Sequence, residues 1–142
     1  MSMRVVDLRS DTVTLPTQEM LDAMRNAELG DDVFGEDPTV NRLEALAADK
    51  TGKEAALLTT SGTQANLVSV MSQTKRGDEV ILEAEAHTYT SEVGALSVLG
   101  GLVPKLVKGH MGIMKAEDIE RVLGPPDIHY PPTSLPTSSL FE

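Results

Sequence analysis

From residue 54 onward, apolar runs of strand length alternate with segments whose apolar residues recur at helical spacing. Few architectures accommodate that alternation. Glu54–Thr60 reads as a strand ending in two β-branched residues, and 63–75 as a helix with Leu67, Val68, Val70 and Met71 recurring along it. A strand at 79–84 leads to a helix at 88–99, with Val93, Leu96 and Leu99 on one face. A strand at 102–107, a glycine-rich turn at 109–112 and a short helix at 115–123 complete the pattern. Strands joined through helices require crossover connections, which predicts an α/β domain with a parallel sheet. Ligands of such sheets gather at the carboxyl ends of strands, and both Ser61-Gly62-Thr63 and His87 lie just past expected strand ends.

The first fifty residues read differently. Residues 5–15 are extended or looped, and Pro16 disfavours helix at Leu15. Thr17 can cap a short helix that places Met20, Leu21 and Met24 on one side. A glycine-punctuated acidic loop at 28–37 ends in Asp37-Pro38, a cap followed by a first-turn proline. Val40, Leu43, Leu46 and Ala47 continue that helix until Gly52. At the other end, five prolines mixed with Ser and Thr make 124–142 a poor core former. The expected division is therefore 1–123 as domain and 124–142 as tail.

The net charge of -10 argues against a nucleic-acid or anionic-membrane surface. The chain has no cysteine, so a disulfide framework, a thiol nucleophile and a thiolate metal site are all excluded. No metal centre is expected; Asp31 and Asp32 read as solvated or capping carboxylates. Without a signal-like or membrane-spanning apolar run, a soluble cytoplasmic protein is expected.

Ser61-Gly-Thr-Gln-Ala-Asn66 opens the second helix. A helix start leaves backbone N–H groups unpaired and presents partial positive charge, while glycine permits close approach and two hydroxyls add donors. That pattern suits an anion such as a phosphate. Ordinary helix capping explains the same residues, and both readings stand at this level.

Four blocks together resemble the low-specificity threonine aldolases, which are fold type I pyridoxal-phosphate enzymes. They are Asp7-Leu-Arg-Ser-Asp-Thr-Val-Thr14, Gly30-Asp-Asp-Val-Phe-Gly-Glu-Asp-Pro-Thr39, Ser61–Asn66 and Glu85-Ala-His87, in matching order and spacing. The likeness extends from about residue 4 to residue 135. It implies an α/β fold, the N-terminal portion of a three-layer α/β/α large domain with a mostly parallel sheet. It further implies pyridoxal 5'-phosphate as cofactor, with Ser61, Gly62 and Thr63 on its phosphate. His87 would lie over the pyridine ring near the substrate hydroxyl, and Ser10 would contact the substrate carboxylate. At Phe34 many relatives carry a tyrosine that reaches a neighbouring subunit's site; a phenyl ring keeps the packing without the hydroxyl. His110 and His129 read as incidental.

The resemblance also sets what these residues lack. In a full-length member the Schiff-base lysine, the aspartate paired with the pyridine nitrogen and the anion-binding arginines lie beyond residue 142. None of Lys50, Lys53, Lys75, Lys105, Lys108 or Lys115 matches the position of that lysine. After Leu135 the family pattern gives way to Pro136-Thr-Ser-Ser-Leu-Phe-Glu142, and a proline there removes a ladder donor from what would be a central strand. Three functions follow: a lyase cleaving L-threonine or L-allo-threonine to glycine and acetaldehyde, in a family that forms homotetramers; a shortened, inactive chain that associates with full-length subunits; or an unrelated phosphate-ligand module.

Overall fold

Glu79–Glu83 is the strand around which the second half of the chain is built, and all five of its residues are buried. In the computed structural model, which describes residues 6–137, this strand (β1) lies between β2 (Val103–Val107) and β3 (Thr133–Thr137) in the order β2-β1-β3. Both pairings are parallel, with Val80 opposite Pro104 on one flank and Leu135 on the other. Alternation along β1 sends Val80 and Leu82 to one face and Ile81 to the opposite one. Val80 and Leu82 join Val70, Leu96 and Leu102 in the core cluster, with Leu67 packed against it. A strand buried on both faces must read as a continuous apolar run, and Val-Ile-Leu does.

Two carboxylates close the ends of that run. Glu79 accepts the Lys105 ammonium at 3.1 Å and the Thr133 hydroxyl at 2.9 Å, so one side chain spans both flanking strands. Glu83 accepts the backbone N–H groups of Glu85 at 2.7 Å and Gly109 at 2.8 Å. A Cβ at Gly109 would stand 2.7 Å from Glu83 Cγ, so this close approach requires glycine. Beside Glu79, Asp78 accepts from the Ser134 hydroxyl and the Lys75 N–H, which hold its carboxyl below the usual range.

The chain falls into two units, Met1–Leu58 and Thr59–Glu142. In the first, α1 (Gln18–Arg25) is capped by the Thr17 hydroxyl, and none of its residues is buried. The longer α2 (Pro38–Thr51) begins as expected at Asp37-Pro38 and ends at left-handed Gly52. One Asp37 oxygen takes the Thr39 and Val40 N–H groups, both at 2.9 Å, and the other takes Gly30 N–H at 3.1 Å. The acidic loop is thereby closed on itself. A Cβ on Gly30 would lie 2.1 Å from the Glu36 carbonyl oxygen, which no L side chain tolerates. These amides, Val40 foremost and then Gly30, lower the Asp37 pKa.

In the second unit α3 spans Gly62–Met71, α4 His87–Thr90, α5 Ala95–Val98 and α6 Ala116–Val122. The α/β class and the parallel sheet are as expected, but three elements differ. Residues 54–60 form no strand. Their amides turn to side chains instead, Leu58 N–H to Glu44 at 2.7 Å and Thr60 N–H to Gln64 at 2.8 Å, so strand propensity without a ladder partner produced only extended chain. The helix expected over 88–99 breaks into α4 and α5 at Val93 and Gly94, whose φ values are 55° and 69°. Glu92 is thereby turned inward and Val93 outward, 97% exposed, so Val93 is not on the face of Leu96. The proline-bearing segment provides a third strand, β3, where Pro136 sits opposite Ile81. Among the described residues β3 is an edge, a position in a sheet where a missing N–H is tolerated.

Two measurements test this account. Ile81→Ala should lower unfolding free energy by about 3 kcal/mol in urea titration, as expected for a fully enclosed aliphatic side chain. Because the folded-state pKa of Asp37 is depressed, its contribution is present above the unfolded value of about 3.9 and lost as pH falls through the folded one. Asp37→Ala should therefore be less stable than the parent chain at neutral pH, with the two converging in acid.

Candidate functional site

The amino end of α3 is open and unsatisfied. Ser61 is its cap: the hydroxyl oxygen accepts Gln64 N–H at 3.1 Å, and the Gln64 amide oxygen reaches back to Thr60 N–H and Oγ1 at 2.8 and 2.7 Å. Capping is therefore real, but it uses only part of the donor set. Ser61 accepts with its oxygen and keeps its own O–H to donate. The N–H groups of Gly62 and Thr63 and the Thr63 hydroxyl have no partner among the described residues. A Cβ added at Gly62 would meet nothing within 4 Å, so open space adjoins the turn on that side. No carboxylate occurs within the six residues, and the helix supplies partial positive charge at this end.

His87 opens α4, four residues beyond the last residue of β1, at the carboxyl end of the sheet. Its Nδ1 lies 2.9 Å from Glu92 Oε1. The imidazole side chain is 57% exposed, whereas that of Glu92 is wholly buried. The same Glu92 oxygen accepts the Asn66 amide N–H at 2.6 Å. Asn66 lies four residues into α3, about 6 Å along the axis from Gly62. One buried carboxylate thus ties the histidine to the helix whose amino end carries the free donors. The second Glu92 oxygen is buried without a partner among the described residues.

Ser61, Gly62, Thr63 and His87 all lie in the second unit, where Glu92 links His87 to Asn66, a residue of the helix that begins at Gly62. Neither Glu92 nor Asn66 was singled out from the sequence. Asn66 was read only as the end of a motif, and a Glu five residues after a His carries no signal once a continuous helix is assumed. Ser10 belongs to the first unit, where its hydroxyl accepts Thr12 N–H at 3.2 Å and starts a 3-10 turn at Asp11–Val13. Asp31 caps a second such turn, Asp32–Phe34, and Phe34 is exposed. His129 pairs with Asp127 at 2.6 Å near the surface, and the two backbone hydrogen bonds between His110 and Ile113 close a turn. Among the described residues no His, Asp and Glu are grouped as a metal site would need, and no helix is long and apolar enough to cross a membrane.

If Ser61 acts as the cap, Ser61→Ala should cost about 1 kcal/mol in chemical denaturation, and Ser61→Asn much less. Equal losses in the two variants would show that the hydroxyl is not the capping group.

Comparison with known proteins bears on the same residues. The profile of the beta-eliminating lyase family matches residues 7–137. The "Low specificity L-threonine aldolase" of Escherichia coli (strain K12) is 46% identical over 132 residues, covering 92% of this chain and 40% of that protein. The "Low-specificity L-threonine aldolase 1" of Arabidopsis thaliana is 51% identical over 139 residues, covering 95% of this chain and 39% of that one. The corresponding Saccharomyces cerevisiae protein is 40% identical over 133 residues, covering 91% and 34%. The chain thus spans about 40% of the length of the first two. On a match of this extent, carried by a parallel α/β sheet, the chain belongs to the beta-eliminating lyase family, whose members are fold type I pyridoxal-phosphate enzymes.

Proposed function

We propose that these residues form part of a pyridoxal-phosphate-dependent lyase of the threonine aldolase type. Its reaction splits a β-hydroxy-α-amino acid, L-threonine or L-allo-threonine, into glycine and acetaldehyde. The observation that carries this reading is the buried Glu92 carboxylate, which joins a set of free anion donors to an exposed imidazole. The names of the relatives support it from a separate direction.

The donor set suits a phosphate ester. Gly62 and Thr63 offer backbone N–H groups, Ser61 and Thr63 offer hydroxyls, and open space adjoins the Gly62 Cα. When bound, pyridoxal 5'-phosphate supplies an electron sink for the pair released at the substrate Cα. His87 presents a flat, partly exposed ring against which a planar group can stack, and a nitrogen that can exchange a proton with the substrate hydroxyl. Ser10 is assigned to the substrate carboxylate. The Schiff-base lysine is assigned to chain outside these 142 residues, with a cytoplasmic location and homotetrameric assembly as in the family.

A second reading is favoured by one observation. Met20, Leu21 and Met24 of α1 are all exposed, and α1 contributes nothing to a core among the described residues. A catalytically inactive chain that joins longer subunits through 17–48 would cover them.

Pyridoxal phosphate added to the purified chain should shift the amide resonances of Gly62 and Thr63 and the ring resonances of His87. Pyridoxal without the phosphate ester should leave the two amides unmoved. Thr63→Ala should weaken binding about tenfold, as for one hydrogen bond to a charged acceptor. Addition of L-allo-threonine should release no more aldehyde than the blank. Unshifted Gly62 and Thr63 amides at saturating cofactor would overturn the assignment, and rapid aldehyde release would overturn the need for a lysine from elsewhere.

A further inference from the structure

We propose that Glu92 is the positioning residue of His87, holding its imidazole as the Nδ1–H tautomer and leaving the Nε2 lone pair free. The hydrogen-bond inventory around Glu92 sets the direction of the bond. Oε1 already accepts the Asn66 N–H at 2.6 Å, and a carboxylate oxygen accepts rather than donates. The His87 Nδ1 at 2.9 Å must then carry the proton. A neutral imidazole protonated at Nδ1 has its lone pair on Nε2, which has no partner among the described residues.

The cost of this arrangement argues that it serves more than packing. Glu92 is 4% exposed, and its Oε2 is buried with no partner among the described residues. The next residue, Val93, adopts φ 55°, a left-handed conformation that a β-branched side chain strongly disfavours, and does so at 97% exposure. An uninterrupted helix over 88–99 would avoid both penalties, and would remove the inward turn that buries Glu92. Strain and an orphaned polar atom on adjacent residues, beside an exposed imidazole, mark a constrained functional geometry.

A carboxylate behind an imidazole sets tautomer and orientation, and stabilises the ring when it gains a proton. On the lyase reading, Nε2 takes the proton of the substrate β-hydroxyl, the O–H electron pair forms the aldehyde C=O at Cβ, and the Cα–Cβ bond breaks with its pair passing to Cα. Asn66 extends the constraint, since it fixes Glu92 to the helix that starts at Gly62. The catalytic meaning of Glu92 therefore rests on the proposed function, whereas its hold on His87 is measurable without cofactor or substrate.

The test is a two-bond proton–nitrogen correlation spectrum of the full 142-residue chain with labelled histidine, at mildly alkaline pH. His87 should show the Nδ1–H pattern. His110, whose side chain has no hydrogen bond among the described residues, should show the Nε2–H preference of free histidine. Glu92→Met, which removes the acceptor, should move the His87 tautomer ratio about tenfold toward the Nε2–H preference of free histidine. Asn66→Ala should leave His87 as Nδ1–H. An Nε2–H pattern at His87 in the parent chain would overturn the proposal, and so would an unchanged pattern in folded Glu92→Met. If that variant does not fold, the contrast between His87 and His110 in the parent chain decides. An Nδ1–H pattern without any effect of pyridoxal phosphate on Gly62 or Thr63 would sustain the Glu92 assignment and overturn the cofactor reading.

Discussion

Burial of β1 on both faces and along both edges is the constraint on which the second unit depends. Val80, Ile81 and Leu82 have no exposed surface, so apolar residues must converge on them from several elements. Around Val80 and Leu82, Leu102 comes from the residue before β2, Leu96 from α5, and Val70 with Leu67 from α3. Enclosure also traps the carboxylates at either end of the strand, and each must find donors or impose a desolvation penalty. Glu79 finds Lys105 and Thr133, whereas Glu83 finds two backbone amides. The second pair anchors the loop after β1 to the loop after β2. Ala86, 1% exposed, continues the anchored segment, and His87 follows it directly. The imidazole therefore leaves a rigid strand end rather than a free loop.

Stability and function diverge over residues 87–94. A regular helix there would satisfy the backbone and keep Val93 in ordinary geometry. The observed break places a carboxylate inside and a valine outside, the opposite of what hydrophobicity favours. Only polar contacts with Asn66 and His87 compensate, and they leave one oxygen without a donor among the described residues. Met111 also adopts a positive φ, 51°, on an exposed turn, but among the described residues only the turn at Val93 pairs that conformation with a buried unpartnered oxygen on the adjacent residue. Such a local inconsistency is what a functional constraint produces.

Local rules made much of this readable in advance. Thr17, Asp37-Pro38, Gly52 and Ser61 each define a helix end by chemistry within a few residues, and each helix end is where that chemistry puts it. The Val-Ile-Leu run and the Val103–Val107 segment were legible for the same reason. What could not be read depends on distant partners. Residues 54–60 have strand character but no ladder, and Thr133–Thr137 lacks that character yet gains a ladder from β1. Among the candidate residues, His87 does follow a strand, whereas Ser61, Gly62 and Thr63 follow a run that forms none. Glu92 could not be read, because its significance comes from a contact with Asn66 across 26 residues.

The separation of the strand partners carries an implication for the order in which the sheet assembles. β2 follows β1 after one short helical passage, whereas Thr133 and Ser134 reach Glu79 and Asp78 across 54 and 56 residues. On loop-closure grounds the near partner is expected to pair before the distant one. In the interval one rim of β1 stands bare, a template for intermolecular pairing were it not for the two acids at its threshold. Asp78 and Glu79 clasp the native strand through Ser134 and Thr133, and acids at that position are the kind of charge that discourages a foreign strand.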